Sequence, residues 1–125
     1  MLMTFRVTLS AMLFAVAAPA AAMPVSTFVT KAEALKKKGP LAVFSSDLKL
    51  LMKQIKDDAA ALRTERLGAE ASGKRGAFCP PASRAKLTDK DVMQAMEAVP
   101  PARRAQTKTK DAMRAYMARR YPCRS

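Results

Sequence analysis

Proline cuts this chain into helix-length pieces. Beyond residue 22 the breaks are Gly39-Pro40, Cys79-Pro80-Pro81, Pro100-Pro101 and Tyr121-Pro122-Cys123. Each removes a backbone donor and fixes φ, so neither a helix interior nor a central strand runs through them. Between the breaks, apolar residues recur at helical spacing. No stretch sustains the period-2 alternation of a half-buried strand. The expected fold is all-α, a small bundle of four to five helices without an internal repeat.

Each piece carries its own start and stop signals. Ser26 or Thr27 is placed to cap a first helix with Phe28, Ala32 and Leu35 on one face. Lys36, Lys37 and Lys38 then occupy its last turn, complementing the helix dipole, and Gly39-Pro40 stops it. Residues 41–44 read as a short helical turn. Ser45 or Ser46 opens a long helix with Leu48, Leu51, Ile55 and Leu62 on one stripe and Leu67 beyond. Lys49, Lys53, Lys56, Asp57, Arg63 and Arg66 form its solvated side. Residues 71–85 are a loop. Thr88 and Asp91 have capping-box spacing, with Asp in place of the usual Glu, at the head of a helix that turns Val92, Met96 and Val99 inward. A last helix over 107–120 turns Ala112, Met113, Tyr116 and Met117 inward. The methionines are expected in the core, although side chains this adaptable also suit a partner-binding groove.

Residues 1–22 stand apart. Arg6 precedes an apolar, alanine-rich run over 9–22, and Ala20 and Ala22 have the −3/−1 spacing of a signal-peptidase site, so this segment reads as a secretory signal peptide. As a membrane anchor the run is short and is interrupted by Pro19. Residues 23–125 are expected as a single helical domain, exported to the periplasm.

The full chain has 23 Lys and Arg, 10 Asp and Glu, no histidine and a formal charge of +13. Removing the signal peptide takes away one cation, Arg6, and leaves +12 on 103 residues. Without histidine, His-ligated metal sites and Ser-His or Cys-His catalysis are excluded. The four glycines have no phosphate-cradling spacing. The acids read as helix caps and solvated faces, with no carboxylate pair converging on a cleft. No catalytic residue, metal or cofactor is expected. An exported chain with no Trp and two Tyr is also a poor nucleic-acid binder. The excess charge fits a protein partner or an anionic envelope surface better. The candidate contact residues are, in order, Lys74 and Arg75 in the cysteine loop, Arg103 and Arg104 after the Pro100-Pro101 break, and Lys36, Lys37 and Lys38.

Cys79 and Cys123 are the only cysteines. In an oxidising compartment an even count reads as a disulfide, whereas two thiols without histidine make a poor zinc site and the Cys-x-x-Cys redox spacing is absent. Closing 44 residues would stabilise the fold by roughly 4 kcal/mol in the chain-entropy account.

The order Cys79-Pro80-Pro81, capped helix from Thr88, Pro100, last helix and Tyr121-Pro122-Cys123 resembles the C-terminal half of the Rap/Tai-type periplasmic immunity proteins. Members of that family are small secreted helical proteins that bind and block peptidoglycan amidase effectors delivered by type VI secretion. The resemblance covers residues 79–123 and implies an effector enzyme as protein partner. Residues 24–70 carry no motif of that family. The alternative is a stand-alone basic envelope protein that binds anionic cell-wall polymer or lipid.

Intact-mass analysis of a periplasmic fraction is expected to give a chain that begins at Met23. Recovery of residues 1–22 on a membrane-bound product would contradict the cleavage.

Overall fold

The structure is a computed structural model that describes residues 22–81 and 86–124. Apart from Ala22, the signal-peptide segment lies outside the described residues. Four α-helices carry the fold: α1, Val25–Lys38; α2, Ser46–Ala71; α3, Asp89–Glu97; and α4, Thr109–Arg120. Short 3-10 turns occupy Gly39–Phe44 and Pro101–Arg103. Among the described residues there is no strand beyond one isolated bridge between Pro24 and Lys108. The architecture is an all-α bundle, as its periodicity requires. The spine is α2, whose 26 residues reach about 39 Å. Both α1 and α4 pack on it, and α3 packs on α1 and α4.

The first helix is not capped by Ser26 or Thr27. Its N-cap is Pro24, which has no side-chain donor or acceptor to offer, and α4 likewise starts without a side-chain cap. The two helix starts satisfy each other instead. Val25 N–H donates to the Thr107 carbonyl at 2.8 Å and Ser26 N–H to the Arg104 carbonyl at 3.1 Å. In return, Thr109 N–H donates to the Met23 carbonyl at 3.0 Å. Orphan donors at a helix start must find a partner somewhere, and here tertiary contact supplies it. From α2, the Asp58 carboxylate accepts the Thr109 hydroxyl at 2.6 Å and Gln54 Nε2 at 2.9 Å. Asp58 was expected on a solvated face, yet it is buried. It stands seven residues after Leu51 and four before Leu62, which places it on the apolar stripe.

The core follows the expected faces. Phe28, Ala32, Leu35, Leu51, Leu62, Met96, Ala112, Met113 and Met117 are all buried, and Met96 and Met113 are among the largest side chains sealed from solvent. Leu67 is the exception, 46 % exposed. Five residues past Leu62, it has rotated about 140° off the stripe. Ser45 caps α2 by accepting Asp47 N–H, and Thr88 and Asp91 form the full capping box of α3. At the far end of α2, Gly73 at φ 72° allows a Schellman closure. Gly73 N–H reaches the Glu70 carbonyl and Lys74 N–H the Ala69 carbonyl.

Cys79 and Cys123 are bonded to each other. Cys79 N–H also donates to the Tyr121 carbonyl at 2.8 Å, and the neighbouring Phe78, absent from the expected core, is buried. The staple ties the loop after α2 to the end of α4. Breaking it with Cys123→Ser is expected to cost about 2–5 kcal/mol, read as a lower urea midpoint. Thiol titration of unfolded, unreduced protein should find no sulfhydryl in the native chain and one in the variant.

A second tie joins α3 to α4. The Asp91 carboxylate accepts the Tyr116 hydroxyl at 2.6 Å, Thr88 N–H at 2.8 Å and the Thr88 hydroxyl at 2.7 Å, and pairs with Arg120. The Tyr116 and Thr88 donors, with the Arg120 charge beside them, hold its carboxyl well below the usual carboxylate range. The ionised form is therefore favoured in the folded chain. The stabilisation is complete above the unfolded value of about 4 and is lost as pH falls from there toward the folded value. Glu65, held low by Arg114 and Lys110, adds in the same direction. Urea titrations at descending pH should show stability falling below about pH 4. Asp91→Asn should flatten that fall and lower the midpoint at pH 7.

Candidate binding surface

The bundle leaves one long apolar groove open. With nine residues, α3 reaches about 13 Å, a third of the length of α2, and cannot cover the whole seam between α1 and α2. The uncovered part encloses 430 Å³ between Phe28, Ala32 and Leu35 of α1, Leu51, Met52 and Ile55 of α2, and Val92 and Met93 of α3. Lys36, Lys56 and Asp89 stand on its rim. Leu48 and Ile55, read as inward, are only half-buried because they line this opening. Met52 is 51 % exposed. The methionines thus divide, with Met96, Met113 and Met117 in the core and Met52 and Met93 at the groove.

At one end of the groove the Gly39–Phe44 turn joins α1 to α2. Gly39 adopts φ 58° and Ser45 N–H donates to the Ala42 carbonyl at 2.9 Å. Ala42 packs against the core, whereas Leu41, Val43 and Phe44 point into solvent. Lys36, Lys37 and Lys38 precede the turn and are exposed. Asp47, just after it, pairs with Lys31 at 2.8 Å, and that hydrogen bond lowers its pKa, with Lys38 adding a further pull. The signal for this surface was a six-residue run without a charged side chain, Gly39–Phe44, set between Lys38 and a lysine-rich helix.

The three basic clusters are not equivalent. Lys36, Lys37 and Lys38 lie beside the groove and the apolar turn. Lys74 and Arg75 are exposed, but Lys74 belongs to the α2 closure through its N–H, so it lacks the backbone freedom expected of a loop residue. Arg103 is exposed, whereas Arg104 is half-buried and does not project. Its Nε donates to the Val99 carbonyl at 2.8 Å and Nη2 to the Glu97 carbonyl at 3.2 Å, so its cation closes the C-terminus of α3. These side chains do not form one continuous basic patch.

A second hollow of 470 Å³ lies between α2, α4 and Phe78, Pro80 and Pro81, with Arg63 and Arg66 on its wall. Several acids are engaged structurally: Asp58 and Asp91 in the networks above, and Glu65 with Arg114 at 2.9 Å and Lys110 at 3.0 Å. Among the described residues, no group of three or more His, Cys, Asp or Glu is placed to hold a metal, and no helix is long and apolar enough to cross a membrane. No family model, no curated protein and no solved structure matches the chain.

Proposed function

We propose that this protein is an exported binding protein that blocks an enzyme by protein–protein contact, in the manner that the resemblance over residues 79–123 implies for peptidoglycan amidase effectors. The observation that carries the reading is the apolar groove between α1, α2 and α3. Its floor is preformed by the buried side chains Phe28, Ala32, Leu35 and Leu51, so little ordering entropy there opposes docking. Exposed Met52 and half-buried Met93 give its mouth a surface that can adapt to an inserted side chain. The partner's complementary feature is an apolar knob flanked by acidic residues that meet Lys36 and Lys56. In this reading the rim lysines steer encounter and the groove holds the complex.

The test is inhibition of peptidoglycan hydrolysis by an amidase effector from the same cell. The native protein should abolish activity at one-to-one stoichiometry. Met52→Asp places a charge at the groove mouth of an already exposed position and is expected to weaken inhibition at least about tenfold. Lys74→Glu/Arg75→Glu should leave the complex intact and alter only its salt dependence. Full inhibition by Met52→Asp would remove the groove from the mechanism. Failure to inhibit any effector would remove the immunity reading.

A further inference from the structure

The end of the bundle where α1 passes into α2 carries a surface that neither the core nor the groove uses. Leu41, Val43 and Phe44 are 69, 63 and 82 % exposed. Three large apolar side chains in one short turn form a local patch of the kind that marks an interaction site. Its segment, Gly39–Phe44, contains no polar side chain, and Pro40 contributes no backbone donor. The turn also satisfies backbone groups internally, with Ser45 N–H on the Ala42 carbonyl.

Positive charge flanks this segment in sequence on both sides. Lys36, Lys37 and Lys38 close α1 immediately before it, and Lys49 stands on the first turns of α2, all four exposed. Of the nearby acids, Asp47 is paired with Lys31, and Glu33 lies one turn further down α1. The collar is therefore cationic. An apolar tip with no polar side chain of its own, internally hydrogen-bonded and ringed by lysines, matches the layered chemistry of an anionic bilayer surface. A protein partner would instead need a concave pocket shaped to this tip.

We propose that the Gly39–Phe44 turn docks the protein on anionic phospholipid, with Leu41, Val43 and Phe44 entering below the headgroups and Lys36, Lys37, Lys38 and Lys49 meeting the phosphates. Three side chains bury too little surface to hold the protein on a neutral bilayer, so the lysines make attachment conditional on anionic lipid. Each lysine near such a surface is worth roughly fivefold in affinity. Attachment of this kind is reversible and weakens with salt. The apolar contact, Leu41, Val43 and Phe44, is not used by the amidase reading, and of the cations only Lys36 is common to both.

The chain has no tryptophan, so Phe44→Trp installs a single reporter at an exposed position. With vesicles of phosphatidylcholine and phosphatidylglycerol in equal parts, its emission should shift to the blue and the protein should co-sediment. Vesicles of phosphatidylcholine alone should produce neither effect. Leu41→Ser/Phe44→Ser, substituted at exposed sites so that the helical circular dichroism is retained, should lose about tenfold or more in vesicle affinity. Lys36→Glu/Lys37→Glu/Lys38→Glu should lose at least about a hundredfold, from roughly fivefold per removed cation, and repulsion adds to that loss. Co-sedimentation that survives Leu41→Ser/Phe44→Ser unchanged would reduce the effect to surface charge and overturn insertion. Absence of binding to the anionic vesicles overturns the proposal outright. A vesicle-independent dimer that the same double substitution dissolves would overturn it in favour of a second copy of this chain, and loss of amidase inhibition without loss of vesicle binding would assign the tip to the enzyme partner.

Discussion

Everything in this bundle hangs on the junction where α1 and α4 begin. Neither helix brings a capping side chain, so each would start with unpaired N–H groups beside a sealed core. Such groups are costly when left without a partner, and the chain meets the requirement by running residues 22–26 and 104–109 past one another. Val25, Ser26 and Thr109 each donate across that seam, and Asp58 fastens it to α2 through the Thr109 hydroxyl. Other registers of α4 against α2 would take the Thr109 hydroxyl from Asp58 and leave the buried carboxylate only its Gln54 partner, so this contact favours the observed register. The junction explains why Val25 and Thr109 rank among the best-sealed side chains of the molecule.

With that junction fixed, the remaining ties are local. The staple at Cys79 and Cys123 anchors the end of α4, and Asp91 with Tyr116 and Arg120 fixes α3 on α4. Among the described residues, no comparable device closes α3 over the α1–α2 seam. A nine-residue helix pinned at its capped start cannot reach the rest of the apolar stripe, and the stripe that the sequence pattern assigns to the core becomes half core and half groove. The floor of that groove belongs to the core through Phe28, Ala32, Leu35 and Leu51, and its mouth, at Met52, is exposed.

Most of the fold was legible in the sequence because its signals are local. The Gly39 stop, the Ser45 cap, the Thr88–Asp91 box and the faces of α1 and α4 all follow from residues within a turn or two of each other. What escaped was non-local. Pro24 as the start of α1 could not be foreseen, because its donors are met by carbonyls about eighty residues away. Phe78 looked like a loop residue until the disulfide brought its segment onto the core. Arg104 looked like a free cation, and only the direction of the α3 C-terminus gives it a structural partner. Asp58 differs from these: its place on the apolar stripe was readable from spacing, and the assumption that an acid on a basic helix is solvated hid it. At the candidate surface, the lysines at 36–38 were visible, but the groove beside them depends on how short α3 is relative to the seam.

The geometry of α2 also separates what holds the molecule together from what it offers to others. The loop that carries the staple lies against the C-terminal half of α2, where Gly76 approaches Arg66 so closely that an added Cβ would meet the Arg66 side chain at 3.0 Å. The apolar turn lies at the other end, before Ser46. Twenty residues of helix between those points span about 30 Å, well beyond the range over which substitutions couple energetically through shared contacts. Changes at Leu41 or Phe44 therefore act on a surface remote from the staple. The staple lies within residues 79–123, while the turn and most of the groove lining fall within 24–70. The α1–α2 half still packs, through Phe28, Ala32, Leu35 and Leu51, so the exposed turn and the groove mouth are surfaces carried by elements that also build the core.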